Sequence, residues 1–420
     1  MKEIKPQKGK IVNQKTLVVT IDIGKTMNMG YWRTPGGSAE AKPFEFANNG
    51  LGFNKFWGHI SKAMKTHNLK ETVVGFESTG AYGAPLVHFL KKKKVNLVQV
   101  NPMHTKRLKE LQGNSPNKTD KKDPKVIADI IELGHALTVV VPEGAAADLR
   151  RTTQARERTI QRRTALYNQL QDLVFLVFPE FLQVIKDVKT KSALYLLREY
   201  PTPQRIIKCG VEDLGGKLRK ISRGKLGAKC AQELNKAAWQ SAGIQQGRES
   251  ILLEISESID LIVACERFIA ELEARMSDYL NQIPYSKFIL SIKGVGEITT
   301  AGLIGEVGDF GKFRTISELE KLAGLDLFEI SSGKHKGKRR ISKRGRSLMR
   351  KILYFAALNV VRKGGVLHQW YQGALVRGML KIKALVAVSR KLLGIIFALV
   401  RDHSEYIVGY SKTQGLKIAV

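Results

Sequence analysis

The sequence predicts an α/β domain at its N-terminal end and a mostly helical remainder. Three patterns carry this prediction. Between residue 17 and about 140, short apolar runs alternate with stretches of helical spacing. From 141 to about 285, apolar residues recur every three or four positions across long charged segments. From 286, helix-like sequence resumes around a Gly-X-Gly turn and continues to about 402. Strands that alternate with helices indicate an α/β layer architecture, and sustained helical spacing indicates a bundle.

Within the first region "TLVVTIDIG" reads as a buried strand, and "YWRTP" as a following strand that ends at Pro35. "FNKFWGHISKAMKTHN" is helical, "ETVVGFEST" is a second buried strand, and "GAPLVHFLKKKK" is the helix after it. "VNLVQVNP" is a further strand stopped by Pro102. "DPKVIADIIELGHA" is a helix with Asp123 at the N-cap and Pro124 at the first helical position. In the middle region "DLRRTTQARERTIQRRTALYNQLQDLVFLVF" is a long basic helix that turns apolar toward its end. Residues 200–248 are polar and Gly- and Lys-rich, which reads as an insertion or a set of short helices. In the next segment Leu252, Ile255, Ile259, Ile262, Phe268, Ile269, Leu272, Met276 and Leu280 recur at helical spacing. That pattern suits either a coiled coil or a core helix of one subunit. The expected organisation is a basic arm (1–16), an α/β domain (17–140), a helical region (141–285), a second helical domain (286–405) and a tail (406–420).

The chain has 420 residues, 43% of them hydrophobic, so it can bury substantial cores. Its formal net charge of +32 points to a polyanionic partner, because Lys and Arg neutralise phosphates and release counterions. Cys209, Cys230 and Cys265 are scattered and form no CxxC, so no structural zinc or disulfide framework is expected. The N-terminus has no apolar core of a signal peptide, and the apolar run Leu392–Val400 is too short to span a bilayer. A cytoplasmic, prokaryotic, nucleoid-associated protein with no membrane contact is expected.

Four acids stand out in the α/β region. Asp22 lies in "TIDIGKT" and Glu77 in "VGFESTG", each flanked by apolar residues. A carboxylate at the edge of a core is costly unless it is paired or holds a metal. Asp120 and Asp123 follow in "NKTDKKDPK"; on a helical turn three residues set them about 60° apart, on one face. Acids from two strand ends and one helix start can converge at the carboxyl end of a sheet, where α/β folds bind ligands. Such an oxygen-ligand set suits Mg²⁺, and two ions roughly 3.5–4 Å apart can activate an attacking oxygen and stabilise a leaving one. Asp129, six residues beyond Asp123, falls on the far side of the helix. "DIGKT" and "GFESTG" also have the form of the phosphate turns of actin-like sugar kinases, a competing reading that the charge and the Asp120/Asp123 pair oppose.

In the last region "IKGVGEITTAGLI" has the form of a helix-hairpin-helix turn. Gly294 and Gly296 allow close approach of a phosphate to the backbone, and the next helix offers its positive N-terminus. Then comes "ISSGKHKGKRRISKRGRSLMRK", with Ser331 and Ser332 at its head. Between Ser331 and Arg350 there are nine Lys or Arg: Lys334, Lys336, Lys338, Arg339, Arg340, Lys343, Arg344, Arg346 and Arg350. Such a run marks a nucleic-acid face. A serine within it serves as a cap, a phosphate donor or a nucleophile, and the last role requires positive charge around the phosphorus and a proton acceptor.

These motifs together resemble the DEDD transposases of bacterial insertion sequences, the bridge-RNA-guided recombinases. Asp22, Glu77 in "ESTGAY", and Asp120 and Asp123 in "KTDKKD" match the family's four acids in order. The segment from "SIKGVGEITTAGLI" to "SKRGRSLMRKIL" matches its transposase domain. The resemblance implies a RuvC-like, RNase H-type first domain whose four acids bind Mg²⁺. It also implies a serine before glycine, here Ser332 with Ser331 as the alternative, that attacks DNA and leaves a covalent phosphoserine link. An element-encoded bridge RNA would guide the reaction in a dimer to tetramer with active sites shared between subunits. A hydrolytic RNase H-type nuclease or junction resolvase is the alternative. The chain departs from the family pattern in its N-terminal arm, in residues 200–248, in "DIGK" after Asp22 and in Pro124 after Asp123.

Overall fold

The structure is a computed structural model that describes residues 12–77, 80–93, 95–112, 123–134, 136–139, 141–329, 337 and 339–407. The chain divides into two compact units, Met1–Val140 and Val141–Val420. Among the described residues no helix is long and apolar enough to cross a membrane.

The first unit is built on a six-stranded sheet. Its strands are β1 (Thr16–Ile23), β2 (Met27–Arg33), β3 (Phe44–Ala47), β4 (Glu71–Glu77), β5 (Asn96–Val100) and β6 (Leu137–Thr138), in the order β3-β2-β1-β4-β5-β6. β1, β4 and β5 run parallel, while β2 is antiparallel to β1 and β3 to β2. The two central strands read as near-continuous apolar runs because both of their faces are covered. Leu17, Val18, Val19, Ile21, Val73 and Val74 are fully buried. Four helices join the strands: α1 (Gly50–Thr66), α2 (Ala84–Lys92), α3 (Pro102–Gln112) and α4 (Asp123–Glu132).

Three of these elements depart from the sequence expectation. β3 is a four-residue edge strand whose Phe46 packs on Phe56 of α1, with ring centroids 4.6 Å apart. β6 is only two residues long, too short for a periodic signal. α3 is mostly polar and its few apolar residues are split, Leu108 packing on the core while Met103 and Leu111 are exposed, so it lacks the apolar stripe by which a helix is recognised.

The second unit is helical: α5 (Ala145–Val177), α6 (Phe181–Val184), α7 (Lys191–Glu199), α8 (Pro203–Cys209), α9 (Val211–Ile221), α10 (Ala228–Trp239), α11 (Arg248–Asn281), α12 (Ser286–Leu290), α13 (Glu297–Val307), α14 (Ile316–Ala323), a hairpin of β7 (Leu327–Phe328) and β8 (Arg340–Ile341), α15 (Ser347–Val360), α16 (His368–Val376) and α17 (Lys381–Arg401). Helices α5 and α11, each about 50 Å long at 1.5 Å per residue, pack on one another. They are antiparallel: Arg156 pairs with Glu273 at 2.6 Å, and eleven residues further along α5 the Tyr167 hydroxyl donates to Glu266 at 3.0 Å. The apolar stripe of α11 is therefore filled from within the chain, the core-helix alternative of the sequence reading. Cys265 belongs to that stripe, while Phe268 lies outside it and is 45% exposed.

The rod of α5 and α11 joins two cores. At one end α6–α10 pack around Leu170, Val174, Leu196, Leu214, Leu218 and Leu234. Residues 200–248 thus form short helices with their own core; Thr202 caps α8 by accepting from the Arg205 amide, with Pro203 in the first turn. At the other end Leu149, Met276 and Leu280 join a core built from α12–α17. The expectation of uninterrupted helix to about 402 fails at β7 and β8. Each strand there is only two residues long, and its polar and glycine-rich flanks hide it from any periodicity.

Candidate active site

The carboxylate cluster is assembled by strand register. β1 and β4 pair in parallel up to Ile21 opposite Phe76, and Asp22 and Glu77 are the next residue on each strand. Adjacent strands lie about 4.8 Å apart and paired positions share a face. Asp22 and Glu77 therefore stand side by side on one face, at the carboxyl end of the two central strands. Two positions back on that face are Thr20 and Gly75, which pair with each other. Helix α4 lies across them. The Thr20 hydroxyl donates to the Pro124 carbonyl at 2.6 Å, and a Cβ at Gly75 would sit 2.1 Å from Cδ1 of Ile131. Val18, Tyr31, Val73, Val98 and Val100 of the sheet pack with Val126, Ile127 and Ile131 of α4 in one core. The apolar face of α4 thus fixes its start, Asp123, at the edge that carries Asp22 and Glu77.

Asp123 is the first residue of α4, its side chain 14% exposed, and Lys109 of α3 pairs with it at 2.5 Å. Neither Lys109 nor Thr20 was foreseen from the sequence. Asp129, on the opposite side of α4, pairs with Arg33 at 2.6 Å. Asp120 lies outside the described residues. Among the described residues no group of three or more His, Cys, Asp or Glu side chains is gathered tightly enough to hold a metal ion. The donors on this edge are all carboxylate oxygens. Hard oxygen-seeking cations such as Mg²⁺ take such a set, whereas thiolate or imidazole ligands would indicate zinc.

The turn after Asp22 is locked. Gly24 has no room for a side chain, since a Cβ would lie 2.1 Å from the Met27 carbonyl oxygen. Its amide donates to Asn28 Oδ1 at 3.2 Å, and Asn48 Nδ2 donates to the Gly24 carbonyl at 3.0 Å and to that of Tyr82 at 3.2 Å. A kinase-type phosphate turn would need the Gly24 amide free, and here Asn28 occupies it.

In the second unit, Gly294 adopts a left-handed conformation (φ 98°) and Gly296 precedes α13, whose start has no side-chain cap. The uncapped amides of that first turn are the donors that the Gly-X-Gly reading calls for.

Ser331, Ser332, Lys334, Lys336 and Lys338 lie outside the described residues, in the stretch of sequence between β7 and β8. The base of that hairpin is firmly held. Leu327 pairs with Ile341 and Phe328 with Arg340. Ser342 Oγ donates to Asp326 at 2.5 Å, and Arg339 pairs with Glu329 at 3.0 Å. Gly324 and Gly345 pack face to face, a Cβ on Gly345 falling 2.3 Å from the Gly324 nitrogen.

Two of the nine cations are engaged inside the fold. The Arg346 side chain, 20% exposed, pairs with the Glu306 carboxylate at 3.8 Å and donates to the Glu306 carbonyl. Arg150 of α5 approaches the same carboxylate at 3.2 Å, and the Glu306 side chain is 3% exposed. Burial, with Arg150 pushing the same way and Glu306 opposing, brings the Arg346 guanidinium down to about 10. Arg350 donates to the Ala323 carbonyl at 2.8 Å, and burial lowers its pKa as well. In sequence both belong to the run expected to face phosphate, but their side chains hold the segment to the fold. The acid at Glu306, inside the apolar run "AGLIGEVG", was the signal that could have revealed this. Arg340, Lys343 and Arg344 are exposed.

Comparison with known proteins agrees at both ends of the chain. A family model described as "Transposase", for the DEDD transposases of the IS110 type, matches residues 19–179. A second, "Transposase IS116/IS110/IS902 family", matches residues 286–372. The chain is 24% identical over 290 residues to an uncharacterised 44.8 kDa protein of insertion element IS116 from Streptomyces clavuligerus, covering 68% of this chain and 71% of that protein. It is 21% identical over 389 residues to the 43.6 kDa protein of insertion element IS110 from Streptomyces coelicolor, covering 92% of this chain and 94% of that one. A probable family 20 transposase of Pseudomonas aeruginosa is 29% identical over 159 residues, 37% of this chain and 47% of that protein. The two matched regions are the ones that carry the strand-edge acids and the cation-flanked serines, and the chain belongs to the IS116/IS110/IS902 family of insertion-element transposases.

Proposed function

We propose that this transposase cuts and rejoins DNA strands through a covalent phosphoserine intermediate. The observation that supports the acid site is the register that sets Asp22 beside Glu77, with the start of α4 tied to the same strand by the Thr20–Pro124 hydrogen bond. The strand order, with antiparallel β2 and β3 on one side of parallel β1, β4 and β5 and the short antiparallel β6 on the other, supports an RNase H-type, RuvC-like domain. Asp22, Glu77 and Asp123, with Asp120, would hold Mg²⁺. When bound, that ion supplies positive charge to the scissile phosphate and acidifies an oxygen ligand.

Ser332 is the proposed nucleophile and Ser331 the alternative. The serine oxygen forms a bond to phosphorus, one bridging P–O bond of the DNA breaks, and the serine proton ends on the departing strand oxygen. Rejoining is the reverse step with a different strand end. The cations of the stretch, with Arg340, Lys343 and Arg344 exposed at its described end, offset the charge that builds on the phosphoryl oxygens. The Gly294–Gly296 turn would hold the strand by its backbone. A structured RNA encoded beside the gene would select the DNA by base pairing, and a dimer to tetramer would bring the acids of one subunit to the serine of another.

Trapping covalent adducts on nicked target DNA tests this reading. Ser332→Ala should abolish the adduct while Ser331→Ala keeps it. The reverse result moves the nucleophile to Ser331. Strand cutting that survives both changes would instead establish a hydrolytic nuclease in which water attacks.

A further inference from the structure

The Gly294–Gly296 turn has a second turn beside it. Where α15 ends, "VVRKGGV" reverses the chain: the Gly365 amide donates to the Arg362 carbonyl at 2.7 Å, and the Leu367 amide to that of Val360 at 3.0 Å. Gly364 is left-handed (φ 78°), and nothing lies within 4 Å of where its Cβ would be. The two turns are in contact, since a Cβ on Gly294 would meet Val360 Cγ1 at 3.4 Å and the Asn359 carbonyl carbon at 3.5 Å. Each is anchored beneath by buried side chains, Ile292 and Val295 under the first and Val360 and Leu367 under the second. Between them lies a groove of about 490 Å³ lined by residues 293–296, Asn359 and residues 362–365. Lys293, Arg362 and Lys363 are its charged lining residues, and no acid lines it. All three are exposed, and none has an ion-pair partner among the described residues.

We propose that Arg362 and Lys363, with Lys293 opposite, form a clamp for consecutive phosphates of duplex DNA, with the two glycine turns as its floor. Three exposed cations around four glycines that carry no Cβ suit a repeating anion that must come close to main chain. An apolar ligand would leave these charges unanswered. A compact anion such as free phosphate would not require two turns. Arg362 and Lys363 stand outside the run that follows the serines, so the groove is a separate hold on the DNA. The inference rests on the reading of the chain as a DNA-cutting enzyme and adds where the strand is gripped.

The test uses the full chain and anisotropy titrations of a labelled 30-base-pair duplex across a NaCl series. Each lost phosphate contact on duplex DNA reduces the slope of log affinity against log salt by about 0.9. Arg362→Ala/Lys363→Ala should therefore flatten the slope by about 2, with an unchanged melting temperature, while Lys229→Ala/Lys236→Ala on α10 should leave it near wild type. A slope for the Arg362/Lys363 variant equal to that of the α10 control overturns the clamp. A loss seen only on an RNA duplex of the same sequence overturns the assignment to DNA. Wild type without salt-dependent DNA binding would overturn both the clamp and the reading beneath it, so the two failures are distinct.

Discussion

Thr20 in the first strand donates its hydroxyl to the carbonyl of Pro124, 104 residues later in the chain, at 2.6 Å and out of contact with water. That single bond ties the start of α4, and Asp123 with it, to the strand that carries Asp22. Thr20→Val keeps the shape and removes the donor, leaving a buried carbonyl without its partner. The expected cost is about 1–3 kcal/mol of stability. DNA cutting should fall further than the unfolded fraction accounts for. Denaturant unfolding alongside a strand-cutting assay checks this, and full activity in the variant would mean that the bond does not set the acids.

The acids and the DNA grip should separate. Asp22→Asn and Glu77→Gln keep size and lose charge. Both should abolish strand cutting and leave duplex affinity within a few-fold of wild type. If cutting persists in both, the strand-edge acids are not the reaction site.

Glu306 and Arg346 make a contrasting prediction. Removing one partner of a buried ion pair typically costs about 3–5 kcal/mol. Glu306→Ala would remove the carboxylate that Arg150 and Arg346 share, and it should lower the melting temperature sharply. Adding Arg346→Met should recover part of the loss. Arg346→Ala should act through stability and leave the salt dependence of DNA binding intact, which a residue facing phosphate would not do.

Tyr167 gives a pH signature of the α5–α11 rod. Burial first, and then the hydrogen bond to Glu266, push its phenol up to about 12. A phenol raised in the folded state above its ordinary value near 10 contributes stability that is present in full below pH 10. That contribution is lost as pH rises from 10 through about 12. Spectrophotometric titration should show a late-ionising tyrosine that disappears in Tyr167→Phe, and the variant should lose less stability over that window than wild type does.

The α/β character of the first unit and the helical character of the second are legible in the chain. Apolar runs such as "TLVVTIDI" and "TVVGFE" read as central strands, because a strand covered on both faces is apolar without alternation. An acid at the end of each is a local fact of the chain. So is a run of cations behind two serines. Tertiary structure alone decided which of these residues meet. That Asp22 and Glu77 share a face depends on a register set over whole strands. That the start of α4 lies against the strand of Asp22 depends on Thr20, whose hydroxyl looks ordinary in the chain. The nine cations read alike in sequence, yet Arg346 and Arg350 turn inward because Glu306 and the carbonyl of Ala323 wait there. The hairpin of β7 and β8 escaped the periodicity for a similar reason. Two residues per strand carry no pattern, and the pairing is held by Asp326, Ser342 and two facing glycines, contacts that exist only once the chain has folded.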